Sequence, residues 1–207
     1  MKSIKNILAA AALAGLLCGS AFAQASGEAR YQILPASKLT IDGTSTFHNF
    51  TIRATELDGY LVLDGMSSAG NLKDELGNVG TLKVVVPVKK LDSDKGSMND
   101  NMDEALKADK NPDITFTLKN IAIDNGKTKT SDPVKVYANG TLTIAGVSKE
   151  INVTVLGSKN KDGQLQFAGE QKINMSEYGI KPPTMFFGTV KVGDAVTVKF
   201  DLTLAAK

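Results

Sequence analysis

The chain has 207 residues, of which 24 are basic, 22 acidic and only one a histidine, and it carries a formal charge of +2. That balance lacks the excess of lysine and arginine that marks a nucleic-acid binder. One histidine and one cysteine give little from which to assemble a metal cluster or a Ser-His-Asp arrangement, so no metal, cofactor or catalytic site is expected.

The amino terminus reads as an export signal. Lys2 and Lys5 precede an apolar run from Ile7 to Leu17, and Ala21-Phe22-Ala23 supplies the small residues that a signal peptidase reads. The run is too short to cross a bilayer core of about 30 Å, which takes roughly 20 apolar residues, and no later stretch is long enough either. No transmembrane anchor is therefore expected. Cys18 follows Leu17 rather than the small residue of a lipidation site. Residues 1–23 are expected to be a cleaved signal peptide and residues 24–207 a single domain, periplasmic or secreted from a bacterium. Cleavage removes Lys2, Lys5 and Cys18 and leaves a charge-balanced chain without cysteine, which fits an exported protein held by its core rather than by disulfides.

Beyond the leader, apolar side chains recur with period two. Leu39 and Ile41 share a face, then Phe50, Ile52 and Ala54, then Leu61 and Leu63. Thr81 to Val88 is a denser run in which Pro87 points to an edge or a bulge. Alternation resumes in Ile114, Phe116 and Leu118, in Leu142 and Ile144, in Ile151, Val153 and Val155, and in Leu165 and Phe167. The last strand is the clearest: Val196, Val198, Phe200, Leu202 and Leu204 face one way, and Thr197, Lys199, Asp201 and Thr203 the other. A Gly-rich connection from Gly65 to Gly80 and turn signals at Asn125-Gly126, Ala145-Gly146 and Asp162-Gly163 suit antiparallel neighbours joined locally. About eight strands with one dry face each make an all-β protein, and either a barrel or a two-sheet sandwich hides such faces.

Two segments break the pattern. Met98, Met102 and Leu106 fall at i, i+4 and i+8 on one stripe of a short helix from Ser97 to Lys107, with Ser97 and Asp100 available for capping. Such a helix covers an open end of the sheet, or serves as a lid whose methionines adapt to an apolar ligand. In Tyr178 to Gly188, Pro182 and Pro183 argue against regular structure, and Met185, Phe186 and Phe187 follow directly. These large side chains either plug an end of the fold or rim an entrance. His48 sits among aromatics without ligand spacing around it, which reads as a surface or structural residue. The acidic stretch of Asp92, Asp94, Asp100 and Asp103 lacks the spacing of a calcium loop and reads as solvated.

Four of these segments together resemble the YceI-like family of bacterial secreted proteins. Pro112-Asp113-Ile114-Thr115-Phe116 is similar to its P-x-I-x-F strand, and Asn139 to Val155 (NGTLTIAGVSKEINVTV) to its G-x-L-T-I-x-G-V-x-K hairpin. Ile173 to Ile180 (INMSEYGI) and Val192 to Leu204 (VGDAVTVKFDLTL) resemble its later segments. The sequence departs from the family at Asn101-Met102-Asp103-Glu104, where relatives carry a basic stretch. The resemblance implies an elongated antiparallel β-barrel of lipocalin type with an apolar interior and one short helix. It further implies a soluble, non-enzymatic protein that sequesters or carries an isoprenoid quinone or other polyprenyl lipid. On that reading Phe116, Leu142, Ile144, Val153, Phe167 and Phe200 line the lumen, while Met98, Met102, Leu106, Met185, Phe186 and Phe187 stand at its lid or entrance. The alternative is a structural or interaction protein of the cell envelope whose barrel is filled by its own side chains, as eight strands allow.

Overall fold

Strands with one dry face each are satisfied when the sheet wraps on itself, and the computed structural model shows that wrap. It describes residues 27–65, 71–124, 133–185 and 189–207. The expected signal peptide, the Asn125-Gly126 turn, Phe186 and Phe187 lie outside the described residues. In chain order the strands begin with β1 (Glu28–Ile33), β2 (Lys38–Thr44), β3 (Asn49–Ala54), β4 (Asp58–Asp64), β5 (Val79–Pro87) and β6 (Leu91–Asp92). They continue with β7 (Asp113–Ile123), β8 (Val134–Ile144), β9 (Val147–Lys159), β10 (Leu165–Asn174), β11 (Thr184–Met185), β12 (Val190–Lys191) and β13 (Ala195–Ala206).

The order β1, β4, β5, β7, β8, β9, β10, β13 is antiparallel throughout, and β13 pairs back with β1 to close an eight-stranded barrel. Three further strands lengthen its wall. β2 continues β1 along β13, taking Thr197 to Asp201 while β1 takes Leu204 to Ala206. β3 pairs with β2 as β4 pairs with β1, and β6 continues β5 to meet β3. The break between β1 and β2 falls beside Pro35, which has no N–H for the ladder. The Ser37 hydroxyl fills that gap, accepting from Thr203 N at 2.9 Å and donating to Thr203 O at 3.2 Å.

Local sequence explains the connections. Ile144 faces Val147 across a two-residue turn in which Ala145 and Gly146 both take positive φ, at 50° and 83°, the geometry whose twist matches a hairpin. A Cβ on Gly146 would stand 2.7 Å from Asn111 Oδ1, so the turn seats against the loop before β7. Asn160 closes the turn between β9 and β10 through its Oδ1, which accepts from Asp162 N and Gln164 N at 3.0 and 2.9 Å. Pro87 is the last residue of β5 and pairs with Asp113 of β7, but it has no ladder partner on its β4 side, so it stands at a local edge of the strand. It is tolerated because pairing to β4 stops at Val85.

Both ends of the barrel are covered. At one end the connection expected to be a Gly-rich loop contains a one-turn helix, α1 (Leu72–Leu76), capped by Asn71, whose side chain accepts from Asp74 N at 2.9 Å. Leu72 and Leu76 bury against Leu61, Leu63, Leu165, Leu202 and Leu204, and Glu75 ties the turn to β9 by an ion pair with Lys159 at 2.6 Å. At the other end lie α2 (Gly96–Leu106) and a 3-10 turn, Met175–Tyr178. Neither Ser97 nor Asp100 caps α2, because the helix starts one residue earlier, with Lys95 at the cap position and no side-chain cap bond. The approach to the helix is fixed instead by Asn99, which accepts from Ser93 N and Ser93 Oγ at 2.9 and 2.6 Å and donates to Asp92 Oδ1 at 2.9 Å. The prolines after Tyr178 do not prevent strand: β11 follows Pro183 directly and pairs with β12. Tyr178 and Ile180 are buried in one cluster with Leu142 and Ile144.

Candidate functional site

The inward faces of the strands do not meet. They enclose a cavity of about 410 Å³, within the range of roughly 300–1,000 Å³ typical of small-molecule sites. Its wall includes Phe116, Leu142, Ile144, Val153, Phe167 and Phe200, the six residues assigned to the lumen from sequence, and the inward face of β13 from Val196 to Leu204. Along β13 the half-buried inward residues run from Val196 to Phe200, roughly 13 Å at about 3.3 Å per residue, before the face closes at Leu202 and Leu204. Inward residues that a packed core would bury completely, among them Ile114, Phe116, Leu118, Phe167, Val196, Val198 and Phe200, are only half-buried, because their free surface faces the void. The interior is dense at the α1 end, where Leu61, Leu165 and Leu204 are fully buried.

Glycine keeps this interior open. Four phenylalanines of the barrel wall, Phe50, Phe116, Phe167 and Phe200, each lie against a glycine on the neighbouring strand. Gly43 faces Phe50, Gly157 faces Phe167 and Gly169 faces Phe200 across the ladder, while Gly140 lies diagonal to Phe116. A Cβ on Gly43, Gly140 or Gly169 would stand within 2.3–2.7 Å of a ring carbon. Each ring therefore folds onto the bare backbone and flattens along the wall instead of projecting across the lumen. For Gly140 the same Cβ would also stand 2.6 Å from Thr117 O, which cannot rotate away. Gly140→Ala is expected to lower stability by about 1–3 kcal/mol, read as a shifted denaturation midpoint. Gly96→Ala, whose Cβ meets nothing within 4 Å, should cause no loss. An unchanged midpoint for Gly140→Ala would remove this role for the glycines.

The residues expected at the lid divide. Met98, Met102 and Leu106 border the cavity from α2, with Leu106 buried and the two methionines partly so. Met185 lies in β11, its backbone paired with Val190. Apart from Tyr178, the polar residues that border the cavity are Ser45 and His48 in the β2–β3 turn, Lys95, Ser97 and Asn101 at the start of α2, and Gln171 near the end of β10. All belong to the α2 end, which is therefore the mouth; the α1 end of the lining is apolar. Phe47, 69% exposed, stands beside His48 on the same turn. Burial, and secondarily the Glu177 carboxylate, push the Tyr178 hydroxyl above its ordinary value, so it remains protonated and able to donate. His48 is exposed, as expected for a surface residue. No group of three or more potential metal ligands occurs among the described residues, and none of their helices is long and apolar enough to cross a membrane.

The geometry defines a closed antiparallel barrel with an apolar chamber and a polar mouth. The YceI-like domain profile matches residues 31–204, and the chain belongs to that family. Among solved structures it is similar to BcnA of Burkholderia cenocepacia, at 20% identity and a TM-score of 0.61, covering 81% of this chain and 95% of that one. It is also similar to a polyisoprenoid binding domain from Saccharophagus degradans implicated in plant cell wall breakdown, at 16% identity and a TM-score of 0.63, covering 86% and 98%. A third similar structure is the YCEI protein of Campylobacter jejuni, at 22% identity and a TM-score of 0.56, covering 78% and 87%. No curated protein matches the chain.

Proposed function

We propose that the protein is an exported carrier or sequestering protein that buries the tail of an isoprenoid lipid, a quinone or a polyprenyl compound, in its barrel. The observation that carries this reading is the chamber itself, lined by aliphatic and aromatic side chains and polar only at its mouth. The family supports it, and so does the likeness to a domain described as polyisoprenoid-binding. The leader read in the sequence supports export to the periplasm or beyond. The mechanism is burial rather than catalysis. At about 0.8 kcal/mol per CH₂, one five-carbon isoprene unit contributes on the order of 4 kcal/mol gross. Three or four units offset the cost of association and ordering and leave micromolar or tighter affinity.

Native mass spectrometry of protein purified from its own host tests this directly. A retained mass matching an isoprenoid, lost on organic extraction and restored by adding the lipid back, is the expected result. Protein that emerges empty and takes up no isoprenoid would replace this reading with that of an envelope interaction protein.

A further inference from the structure

We infer that the chamber has a second way out beside α1, between β5 and β7, and that the far end of a polyprenyl tail too long for the chamber leaves the barrel there. The inference rests on the reading of the chamber as a lipid site and adds which tails that site takes.

Two pairs of neighbouring strands in the barrel part before their ends. β9 and β10 part beyond Val155 and Gly169, toward α2, and so widen the mouth. β5 and β7 part at the opposite end. Their ladder stops at Lys83 and Thr117; Val79 to Leu82 then pair only with β4, and the rest of β7, through Ile123, pairs only with β8. The register shifts on both sides of this gap, between Val62 and Leu63 where β4 meets β5 and between Leu118 and Asn120 where β7 meets β8. Irregularities of this kind bend a strand and end its pairing. A stretch of wall without a ladder is held by side chains, which change rotamer far faster than a ladder unzips.

The chamber leads to that gap. Leu76, the last residue of α1, and Ile121 of β7 border the chamber on one side and, on the other, an outer cleft that Lys73, Asn78 and Ile123 also line. Those two side chains are the partition. Val79, Leu82 and Leu118 beside them border the chamber and are only half-buried, whereas on the β13 side of the same end Leu202 and Leu204 are buried. The chamber therefore bends toward the gap as it deepens. Leu76 itself sits on a helix of one turn, tied to β9 by the Glu75–Lys159 pair. A chamber of about 410 Å³ suits a ligand of drug size and falls short of a tail of many isoprene units. A closed floor would restrict the protein to short tails; a floor that parts lets the excess leave while the rest stays buried.

The test sets solanesol, with nine isoprene units, against farnesol, with three, in competition with a fluorescent apolar probe for the purified protein. Both alcohols are expected to bind, solanesol at least as tightly. Ile123→Glu places a charge in the outer cleft, at a half-buried residue that does not border the chamber. It should weaken solanesol by about tenfold or more, roughly the loss of two buried methylenes, and leave farnesol unchanged. A second measurement uses the unaltered protein and decides by itself should that variant fail to fold. Solanesol carrying a diazirine on its last unit should, on irradiation, label Lys73, Asn78 or Ile123, which border only the cleft, while farnesol with the same group labels the chamber wall. Labelling by the long tail confined to the chamber or to α2, or equal solanesol affinity with and without Ile123→Glu, would overturn the second exit. So would farnesol bound and solanesol refused, and each of these results leaves the lipid reading standing. Refusal of both alcohols would overturn both.

Discussion

Leu165→Ala is expected to cost about 2–5 kcal/mol of stability, the range for truncating a fully buried leucine, whereas Leu118→Ala should cost less than half as much. Both leucines point into the barrel, but their surroundings differ. Leu165 is 0% exposed and packs with Leu61, Leu76, Leu202 and Leu204 under α1. Removing its branched end opens a hole that rigid neighbours on every side cannot fill, so the cavity cost adds to the lost transfer energy. Leu118 borders the chamber and is only half-buried, so truncation there enlarges an existing void and forfeits fewer contacts. Chemical denaturation of the two variants, free of lipid, makes the comparison. Equal losses would mean that the interior is packed along its whole length and that no chamber exists.

The alternation of Val196 to Leu204 was sufficient to assign the inward face of β13, because a period of two leaves only two choices and one of them puts Lys199 and Asp201 inside. Lys199 instead pairs with Asp42 across the outer surface at 2.8 Å. The stripe of Met98, Met102 and Leu106 was equally readable, since it depends only on helical spacing within one segment. The openness of the lumen was not. It depends on glycines meeting phenylalanines on neighbouring strands, Gly169 opposite Phe200 and Gly43 opposite Phe50, and such pairs exist only once the register is set. Had each glycine carried a side chain, the same hydrophobic pattern would have produced a filled barrel. The α1 plug was hidden for another reason: Leu72 and Leu76 sit in a run of Gly, Asn and Asp whose composition reads as loop, and a single turn stabilised by Asn71 and by the Glu75–Lys159 pair leaves no periodicity to detect. The polar mouth gathers residues from the β2–β3 turn, α2 and β10, which no local pattern links.

Filling the chamber should separate binding from folding, and the structure selects where to fill it. Leu142 and Ile144, inward on β8, are packed beneath the α2 end among Tyr178 and Ile180, so enlarging them strains a dense region. Val198 on β13 is half-buried and faces the void. Val198→Phe is therefore expected to weaken binding of a polyprenyl probe by tenfold or more, roughly the loss of two buried methylenes from the bound tail, while changing stability by less than about 1 kcal/mol because the ring enters space already present. Lys199→Gln, next along the chain but on the outer face, should leave binding unchanged and lose at most the worth of an exposed ion pair, about 1 kcal/mol or less. The deciding measurement is probe affinity set against denaturation midpoint for each variant. If Val198→Phe destabilises the fold as an overpacked core would, or if it leaves affinity intact, the tail does not occupy this chamber.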